Sequence, residues 1–327
     1  GGGGGEGGGG EGGIGLGPAG LRCSCRRAFF CCTLACSVSA SSVSGPRPRR
    51  GTPPGHTARV DPPITAGRYW ADATTRELES LDAERTVVVL PVAAIEQHGP
   101  HLPLATDAIV ADALVRHAVA TPRPLARVLA LPPLVVGHSL EHAAFAGTLS
   151  TSAETLLARW GDVARGVART GARKLVLLNA HGGQRSIVDL VAVRARADSG
   201  LLVVRANYFA FGVPPGLFDA DELELGLHGG EAETSLLLHL RPELVRREHL
   251  ADFRPRTPPA LRGTLGPELP VGYGWLAADV HASGCAGNAA AADAERGARL
   301  YAHLCARLDA LIDAVTATPL AELLARD

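Results

Sequence analysis

The chain is organised around the stretch Ile95-Glu96-Gln97-His98-Gly99-Pro100-His101-Leu102-Pro103-Leu104-Ala105-Thr106-Asp107. It follows the run Thr86-Val87-Val88-Val89-Leu90-Pro91-Val92, which is apolar and β-branched as a buried parallel strand would be. Side chains two residues apart on an extended chain point the same way, so Glu96 and His98 are expected to face one side together. Both are metal-ligand types, and open α/β sheets bind ligands beyond the carboxyl ends of their strands. The spacing therefore favours a metal site at this strand end.

The next segment is predicted to be a helix over Asp107–Ala120, with Thr106 or Asp107 as its cap. The Asp107 carboxylate has two interpretations at this point. As a cap it would accept backbone N–H groups and suit the positive end of the helix dipole. As a ligand it would join Glu96 and His98 around a metal ion.

Two further histidine motifs adjoin later apolar segments. Asn179-Ala180-His181-Gly182-Gly183 ends a predicted strand over Lys174–Leu178, and Leu227-His228-Gly229-Gly230-Glu231-Ala232-Glu233 leads into an apolar helix. His228 and Glu231 are three residues apart at a predicted helix start, so they are expected to share a face. Glu233 has two open interpretations, as a partner of the helix dipole or as a functional group.

A glycine-bounded polar loop, Gly137–Thr148, carries Ser139, Glu141 and His142. It is too long to be a simple connector, and long loops inside compact domains are commonly functional. Ser139 and His142 are therefore candidates for lining the site.

Strands and helices alternate from about Ile64 onward. Helices are predicted over Ala71–Leu81, Ser152–Thr170, from Arg185 and over Ala289–Ala317, and strands over Arg85–Val92, Arg127–Leu131 and Leu201–Ala206. This alternation predicts an α/β fold, in which a mostly parallel sheet is covered by helices on both faces.

The composition excludes several classes of function. The chain has 327 residues, of which 46% are hydrophobic, so a large core is possible. Lys+Arg 32 against Asp+Glu 33 leaves no net field to attract nucleic acid or an anionic membrane. There is also no apolar run long enough to span a bilayer.

Residues 1–60 form a leader of different composition, and 61–327 form the predicted catalytic domain. Fourteen of the first twenty residues are glycine, a composition that cannot offset its ordering entropy by burying apolar area. The leader is expected to be disordered; an export signal, a transit segment and a start-site artefact are all open interpretations of it. It holds five of the seven cysteines, which leaves no disulfide framework in the body and indicates a reducing, cytoplasmic location.

Taken in order, Glu96-x-His98 through Asp107, Gly147-Thr148, Asn179-x-His181-Gly182-Gly183 and His228-Gly229-Gly230-x-x-Glu233-Thr234-Ser235 resemble the creatininase family of metal-dependent amidohydrolases. The resemblance covers about residues 64 to 310. It implies a three-layer α/β/α sandwich, usually assembled as a homohexamer, that binds two divalent metal ions per subunit, with Zn²⁺, Mn²⁺ and Fe²⁺ as the candidate ions.

Carried over residue by residue, the resemblance assigns Glu96 and His181 to one ion, His98 to the other and Asp107 to both. A metal-bridged hydroxide would attack a small-molecule amide, expected to be cyclic rather than a peptide. His228 is the predicted proton donor, with His142 and Glu233 as further catalytic candidates. Ser139 and Gly182 are the predicted substrate contacts.

The chain departs from creatininase at Gly183, where that enzyme carries a glutamate ligand. Two divalent ions carry four positive charges, whereas Glu96, Asp107 and a hydroxide offset three, so a third carboxylate is needed. Glu231 is the predicted ligand, because it lies three residues after His228 at a helix start. Glu233 is its rival.

Two other functions stay open at this stage. One is a peptidase that trims a peptide, as the family members that act in mycofactocin maturation do. The other is a non-catalytic metal-binding scaffold.

Overall fold

The computed structural model describes residues 67–255, 265–267 and 271–323. The predictions for the leader 1–60 fall outside these residues, as do parts of the proline-rich stretch between 256 and 270. Within the described part of the chain, no helix is both long enough and apolar enough to cross a membrane.

The central sheet has five strands in the order β1-β3-β2-β4-β5, and every neighbouring pair is parallel. Its members are β1 (Arg68–Tyr69), β2 (Thr86–Val92), β3 (Arg127–Ala130), β4 (Lys174–Asn179) and β5 (Leu202–Asn207). All seven residues of β2 are buried, because the strand is central and both faces of the sheet are covered. Two short antiparallel strands, β6 (Asp252–Phe253) and β7 (Gly287–Asn288), lie outside this sheet.

Helices cover both faces of the central sheet. They are α1 (Thr75–Leu78), α2 (Thr106–Ala120), α3 (Ala153–Arg169), α4 (Arg185–Ser199), α5 (Ala220–Leu225), α6 (Glu231–Leu240), α7 (Ala277–Val280), α8 (Ala294–Ala317) and α9 (Leu320–Leu323). Val87 and Val89 of β2 pack in one core with α2, α6 and α8, whereas Val88 and Leu90 pack in the other with α3 and α4. The predicted three-layer α/β/α sandwich is confirmed.

Three predictions about helix starts were wrong, each for a local reason. The segment predicted as one helix over Ala71–Leu81 begins only at Thr75, because Thr74 and Glu77 form a reciprocal capping box. The last long helix begins at Ala294 rather than Ala289, since the Asp293 side chain caps it by accepting from the Arg296 N–H. The start of α2 was predicted to be capped by Thr106 or Asp107, but it has no side-chain cap. The Asp107 carboxylate is therefore available for another role.

The sheet register brings three strand ends to one edge. Val92 of β2 pairs with Asn179 of β4, which pairs in turn with Asn207 of β5. The residues that follow these ends include Glu96, His181 and Tyr208. Parallel strands thus place residues that are distant in sequence at one carboxyl edge, where ligands of open α/β sheets bind.

Candidate metal centre

The segment after β2 is a tight and buried turn. Glu96 donates its backbone N–H to the carbonyl of Leu104 at 3.0 Å, and Gly99 adopts a φ of 70°, a left-handed conformation that glycine tolerates. This turn brings His98 back onto the first turn of α2. The His98 Nε2 atom lies 3.1 Å from Oδ1 of Asp107.

The first ligand group consists of Glu96, Asp107 and His181. Its candidate ligand atoms all lie within 4.8 Å of one another, and all three residues are buried. Nδ1 of His181 is 3.1 Å from Oε1 of Glu96 and 3.3 Å from Oδ2 of Asp107. This spacing leaves room for one ion to be held by all three side chains.

The second ligand group consists of His98, Asp107 and Glu233, whose candidate atoms also lie within 4.8 Å of one another. The Glu233 carboxylate accepts hydrogen bonds from the backbone N–H of Gly229 at 2.6 Å and from the hydroxyl of Tyr208 at 3.3 Å. Asp107 belongs to both groups, with Oδ1 toward His98 and Oδ2 toward His181. Its placement supports the predicted bridging role.

The hydrogen bonds of the two ligand histidines fit a metal. His98 donates Nδ1–H to the carbonyl of Glu96 at 3.1 Å, and His181 donates Nε2–H to the carbonyl of His138 at 2.8 Å. When either ring is neutral, its other nitrogen carries a lone pair that faces carboxylates, as in metal sites whose histidines are oriented by a second hydrogen bond. Oε2 of Glu96 and Oδ2 of Asp107 are buried without a hydrogen-bond donor. Buried carboxylates of this kind need a cation.

The pKa values show how the metal-free site balances its charge. Burial alone would lower the pKa of His98, but the charge and hydrogen bond of Asp107 outweigh it and raise that pKa to about 9. Burial opposes a rise at His181 too, yet Glu96 and Asp107 hold its pKa well above the usual value. Burial would raise the pKa of Glu96, whereas the nearby histidine charges, above all that of His181, lower it. In the metal-free protein, protons on the two imidazoles thus supply the positive charge that the carboxylates require.

Glu231 does not join either ligand group. Its buried carboxylate forms an ion pair with Arg296 of α8, and its backbone N–H donates to Glu222 at 2.6 Å. The geometry therefore does not support the prediction that Glu231 is the third carboxylate. Glu233, the rival named from the sequence, lies in the second ligand group beside His98 and Asp107.

The other predicted site residues divide into two sets. His142 and His228 are buried and line a cavity of about 350 Å³ together with Gly182 and every member of the two ligand groups except His98. Ser139 is fully buried behind His181, with its hydroxyl 3.4 Å from Nε2 of that histidine, and lines neither this cavity nor the adjoining one. Its position does not support a substrate contact.

Several residues at the cavity were not assigned a role from the sequence, although Glu141 belongs to the loop predicted to line the site. Glu141 lies 3.4 Å from Nε2 of His181, and its carboxylate fills the space that a side chain at Gly183 would need. Burial raises the pKa of Glu141. Tyr208 could have been found from its position, since it follows the end of β5 at the same edge of the sheet as His181. Arg185 and Trp275 line the mouth and carried no sequence signal.

Comparison with known proteins places this site in a known family. Residues 71–312 match the family model Creatininase, described as creatinine amidohydrolase. The chain belongs to the creatininase family.

Its relatives act on more than one kind of substrate. The chain is 33% identical to the mycofactocin precursor peptide peptidase of Mycobacterium tuberculosis (strain ATCC 25618 / H37Rv). The aligned region covers 70% of this chain and 84% of that protein. It is also 33% identical to the creatinine amidohydrolase of Pseudomonas putida, over 58% of this chain and 78% of that protein. A crystal structure of creatinine amidohydrolase superposes with a TM-score of 0.61 at 26% identity, covering 77% of this chain and 98% of that one.

A creatininase structure of Zn-Zn type is 27% identical with a TM-score of 0.61, and it covers 76% of this chain and 98% of that one. A manganese form of creatininase is 25% identical with a TM-score of 0.59, and it covers 76% of this chain and 99% of that one. The chain is accordingly a metal-dependent amidohydrolase of the creatininase type, a hydrolase of C–N bonds. The predicted family and enzyme class are confirmed.

Proposed function

We propose that each chain holds two divalent ions, Zn²⁺ or Mn²⁺, and hydrolyses an amide bond within a short peptide. The first ion would be held by Glu96, Asp107 and His181, and the second by His98, Asp107 and Glu233. The observation that carries this proposal is the arrangement of three carboxylates, two buried and one half-buried, around two buried histidines, with Asp107 shared between the groups. Ions bound there would polarise the amide carbonyl and activate a water molecule.

The remaining proton chemistry is assigned to His228. The reaction needs a group that takes a proton from the attacking water and returns it to the leaving nitrogen. His228 donates Nε2–H to the carbonyl of Gln97 at 2.6 Å, so its Nδ1 carries a lone pair and faces the site, 3.9 Å from Oε1 of Glu96. Burial and then the charge of His98 lower the pKa of His228, which keeps this nitrogen free to accept a proton.

The shape of the site favours a substrate larger than a small cyclic amide. The cavity of about 350 Å³ at the ligand groups adjoins a second cavity of about 400 Å³. The two share the lining residues Glu141, Gly182, Gly183, Arg185 and Trp275. Cavities of about 300–1,000 Å³ hold ligands of drug size. A peptide can occupy both cavities with its scissile amide beside the ligand groups.

The first cavity would receive an apolar portion of that peptide. Beyond the ligand groups it is lined mainly by apolar side chains, among them Phe209, Val213, Leu223, Leu227 and Leu236. The mycofactocin precursor peptide peptidases, 33–36% identical to this chain, act on a peptide by name. A cyclic amide is the second candidate, because the identity to a creatinine amidohydrolase is no lower than that to the Mycobacterium tuberculosis peptidase.

A substrate panel tests the proposal. The purified chain, loaded with Zn²⁺ or Mn²⁺, would be incubated with short peptides of apolar sequence and, separately, with lactams and hydantoins, and the products followed by mass spectrometry. We expect peptide cleavage, and loss of that cleavage in Glu233→Gln. Turnover of cyclic amides alone would replace the peptide proposal with the second candidate. Stoichiometric metal without turnover of any amide would indicate a scaffold protein.

The family and the cysteines support proposals for the assembly and the location. We propose a homohexamer, which light scattering of the purified protein would test. We also propose the cytoplasm, since Cys285 and Cys305 are buried free thiols. Fractionation of the source cells would test the location.

A further inference from the structure

Gln97, the residue between Glu96 and His98, is a buried amide whose orientation is fixed by the backbone. Its Oε1 accepts from the N–H of Gly99 at 2.8 Å, and its Nε2 donates to the carbonyl of Gly284 at 2.8 Å. Exchanging the amide oxygen and nitrogen would place like groups together at both contacts, so only one orientation is allowed. Gly284, with a φ of 77°, leaves the room for this amide, because a Cβ there would lie 2.6 Å from it.

The fixed amide determines the proton position on His142. The second N–H of Gln97 Nε2 faces Nδ1 of His142 at 2.7 Å. A donor at that distance requires an acceptor, so Nδ1 carries the lone pair and the hydrogen of the ring is on Nε2. Nε2–H then points toward the ligand groups, 3.6 Å from Oε1 of Glu96. For this reason His142 is a poor ligand, although it lies near Glu96 and Glu141.

His228 presents the opposite group to the same space. The backbone carbonyl of Gln97 accepts its Nε2–H at 2.6 Å, which leaves the Nδ1 lone pair toward the site. The rings of His142 and His228 stack with centroids 4.2 Å apart and an angle of 28° between their planes. Gln97 therefore contacts both rings, and it leaves the N–H of His142 and the lone pair of His228 facing the site.

We propose that Gln97 is a positioning residue that gives these two histidines separate roles in amide hydrolysis. His142 is a fixed N–H donor to the oxygen of the tetrahedral intermediate, and His228 is the group that transfers the proton. This assignment rests on the amide hydrolysis proposed above. A developing oxyanion is stabilised by a donor already in place, and such a donor does not lose its proton during the reaction.

The atoms balance without any further reactant. Water adds its oxygen to the carbonyl carbon and gives one proton to Nδ1 of His228. The C–N bond then breaks, and His228 returns the proton to the departing nitrogen. The products are a carboxylic acid and an amine, and His142 carries the same proton at the beginning and at the end.

The test reads the proton positions directly. Protein with ¹⁵N-labelled histidine rings, loaded with zinc, would be examined by two-bond ¹H–¹⁵N correlation, with the two residues assigned through His142→Gln and His228→Gln. We expect His142 with hydrogen on Nε2 and none on Nδ1. Hydrogen on Nδ1 of His142, alone or together with Nε2–H, would overturn the proposal.

Substitution of Gln97 then tests whether this residue determines the proton position on His142. In Gln97→Glu a carboxylate replaces the amide and accepts rather than donates, so hydrogen should move to Nδ1 of His142. Loss of one preorganised donor lowers kcat by about 100-fold or more, and we expect that loss with KM and metal content nearly unchanged. Gln97→Met removes the donor without adding an acceptor; it should give a mixture of His142 tautomers and a smaller loss.

Gln184→Glu is the matched control, because Gln184 is also buried but donates to Ala93 and Asn179 rather than to His142. It should leave the His142 signals unchanged. Unchanged signals in both Gln97 variants would refute the positioning role. The spectra need no substrate, so a protein that shows the expected protons but cleaves no peptide would count against the proposed function and leave the proton assignment standing.

Discussion

Two glutamates in the first turn of α6 are predicted to fail in different ways when each is changed to glutamine. Glu233→Gln removes a carboxylate from the second ligand group, which then keeps only His98 and Asp107. Glu231→Gln instead breaks the ion pair with Arg296 and leaves both ligand groups intact. The two substitutions lie two residues apart, and each removes one negative charge while keeping the shape of the side chain.

The expected magnitudes follow from these contacts. Loss of a group that merely orients a ligand weakens metal binding by about 10–100-fold, so loss of the Glu233 ligand should cost at least about 100-fold at the second group. Breaking a buried ion pair costs about 3–5 kcal/mol. The Arg296 side chain is 28% exposed and also pairs with Asp293, so Glu231→Gln should lower the free energy of unfolding by only about 1–2 kcal/mol. In a domain of this size that loss lowers Tm by about 2–8 °C.

The assay compares metal content and metal-free stability in one set of preparations. After zinc loading and dialysis, Glu233→Gln should hold one ion per chain where the parent holds two, and its metal-free Tm should match the parent's. Glu231→Gln should hold two ions and melt earlier when metal-free. If Glu233→Gln kept both ions while Glu231→Gln lost one, the assignment of the third carboxylate would be refuted.

Three further outcomes are expected. Asp107→Ala should lose both ions and His98→Ala only one, as metal analysis of the purified variants would show, because Asp107 belongs to both ligand groups. Zinc should bind more tightly as the pH rises toward 9 and should release protons as it binds. The reason is that the pKa of His98 is about 9 in the metal-free protein, whereas the metal needs the unprotonated ring. Calorimetry in buffers of different ionisation enthalpy measures the number of protons released. Gly183→Ala should lower the free energy of unfolding by about 1–3 kcal/mol in denaturant titrations, because its Cβ would lie 1.6 Å from Oε1 of Glu141. Gly182→Ala is the control, because no atom lies within 4 Å of the added Cβ, and it should have the same free energy of unfolding as the parent.

The sheet could be predicted because its strands are short apolar runs with polar residues at their ends. Burial on both faces leaves β2 and β4 without a polar side, and the pattern shows this directly. The early helix could not be delimited in the same way. Its boundary depends on the Thr74–Glu77 capping box, a local competition that periodicity does not display.

The core of the site could also be predicted, since a parallel sheet brings its strand ends to one edge. Glu96, His98 and His181 were identified by position after β2 and β4, and the structure brings them together. Glu141 could not be assigned with them. Its approach depends on the open space beside Gly183, which exists only after the loop has folded onto the end of β4.

The choice between Glu231 and Glu233 depends on the residue from which helical spacing is counted. The prediction applied helical spacing from His228, but α6 begins only at Glu231, and Gly229 has a φ of 62°. The spacing rule holds only inside a helix, so the register must be counted from Glu231.

Counted from Glu231, Ser235 is four residues on and lies on the same face. Ser235 packs against Gly297 of α8, where a Cβ would come within 1.9 Å of its carbonyl oxygen. The face that carries Glu231 is thereby turned toward α8 and Arg296. Glu233 is rotated by about 200° from Glu231, at about 100° per residue, which turns it toward the strand ends. The expectation of a third carboxylate follows from charge alone, but which glutamate faces the other ligand groups depends on how closely two helices pack at one glycine.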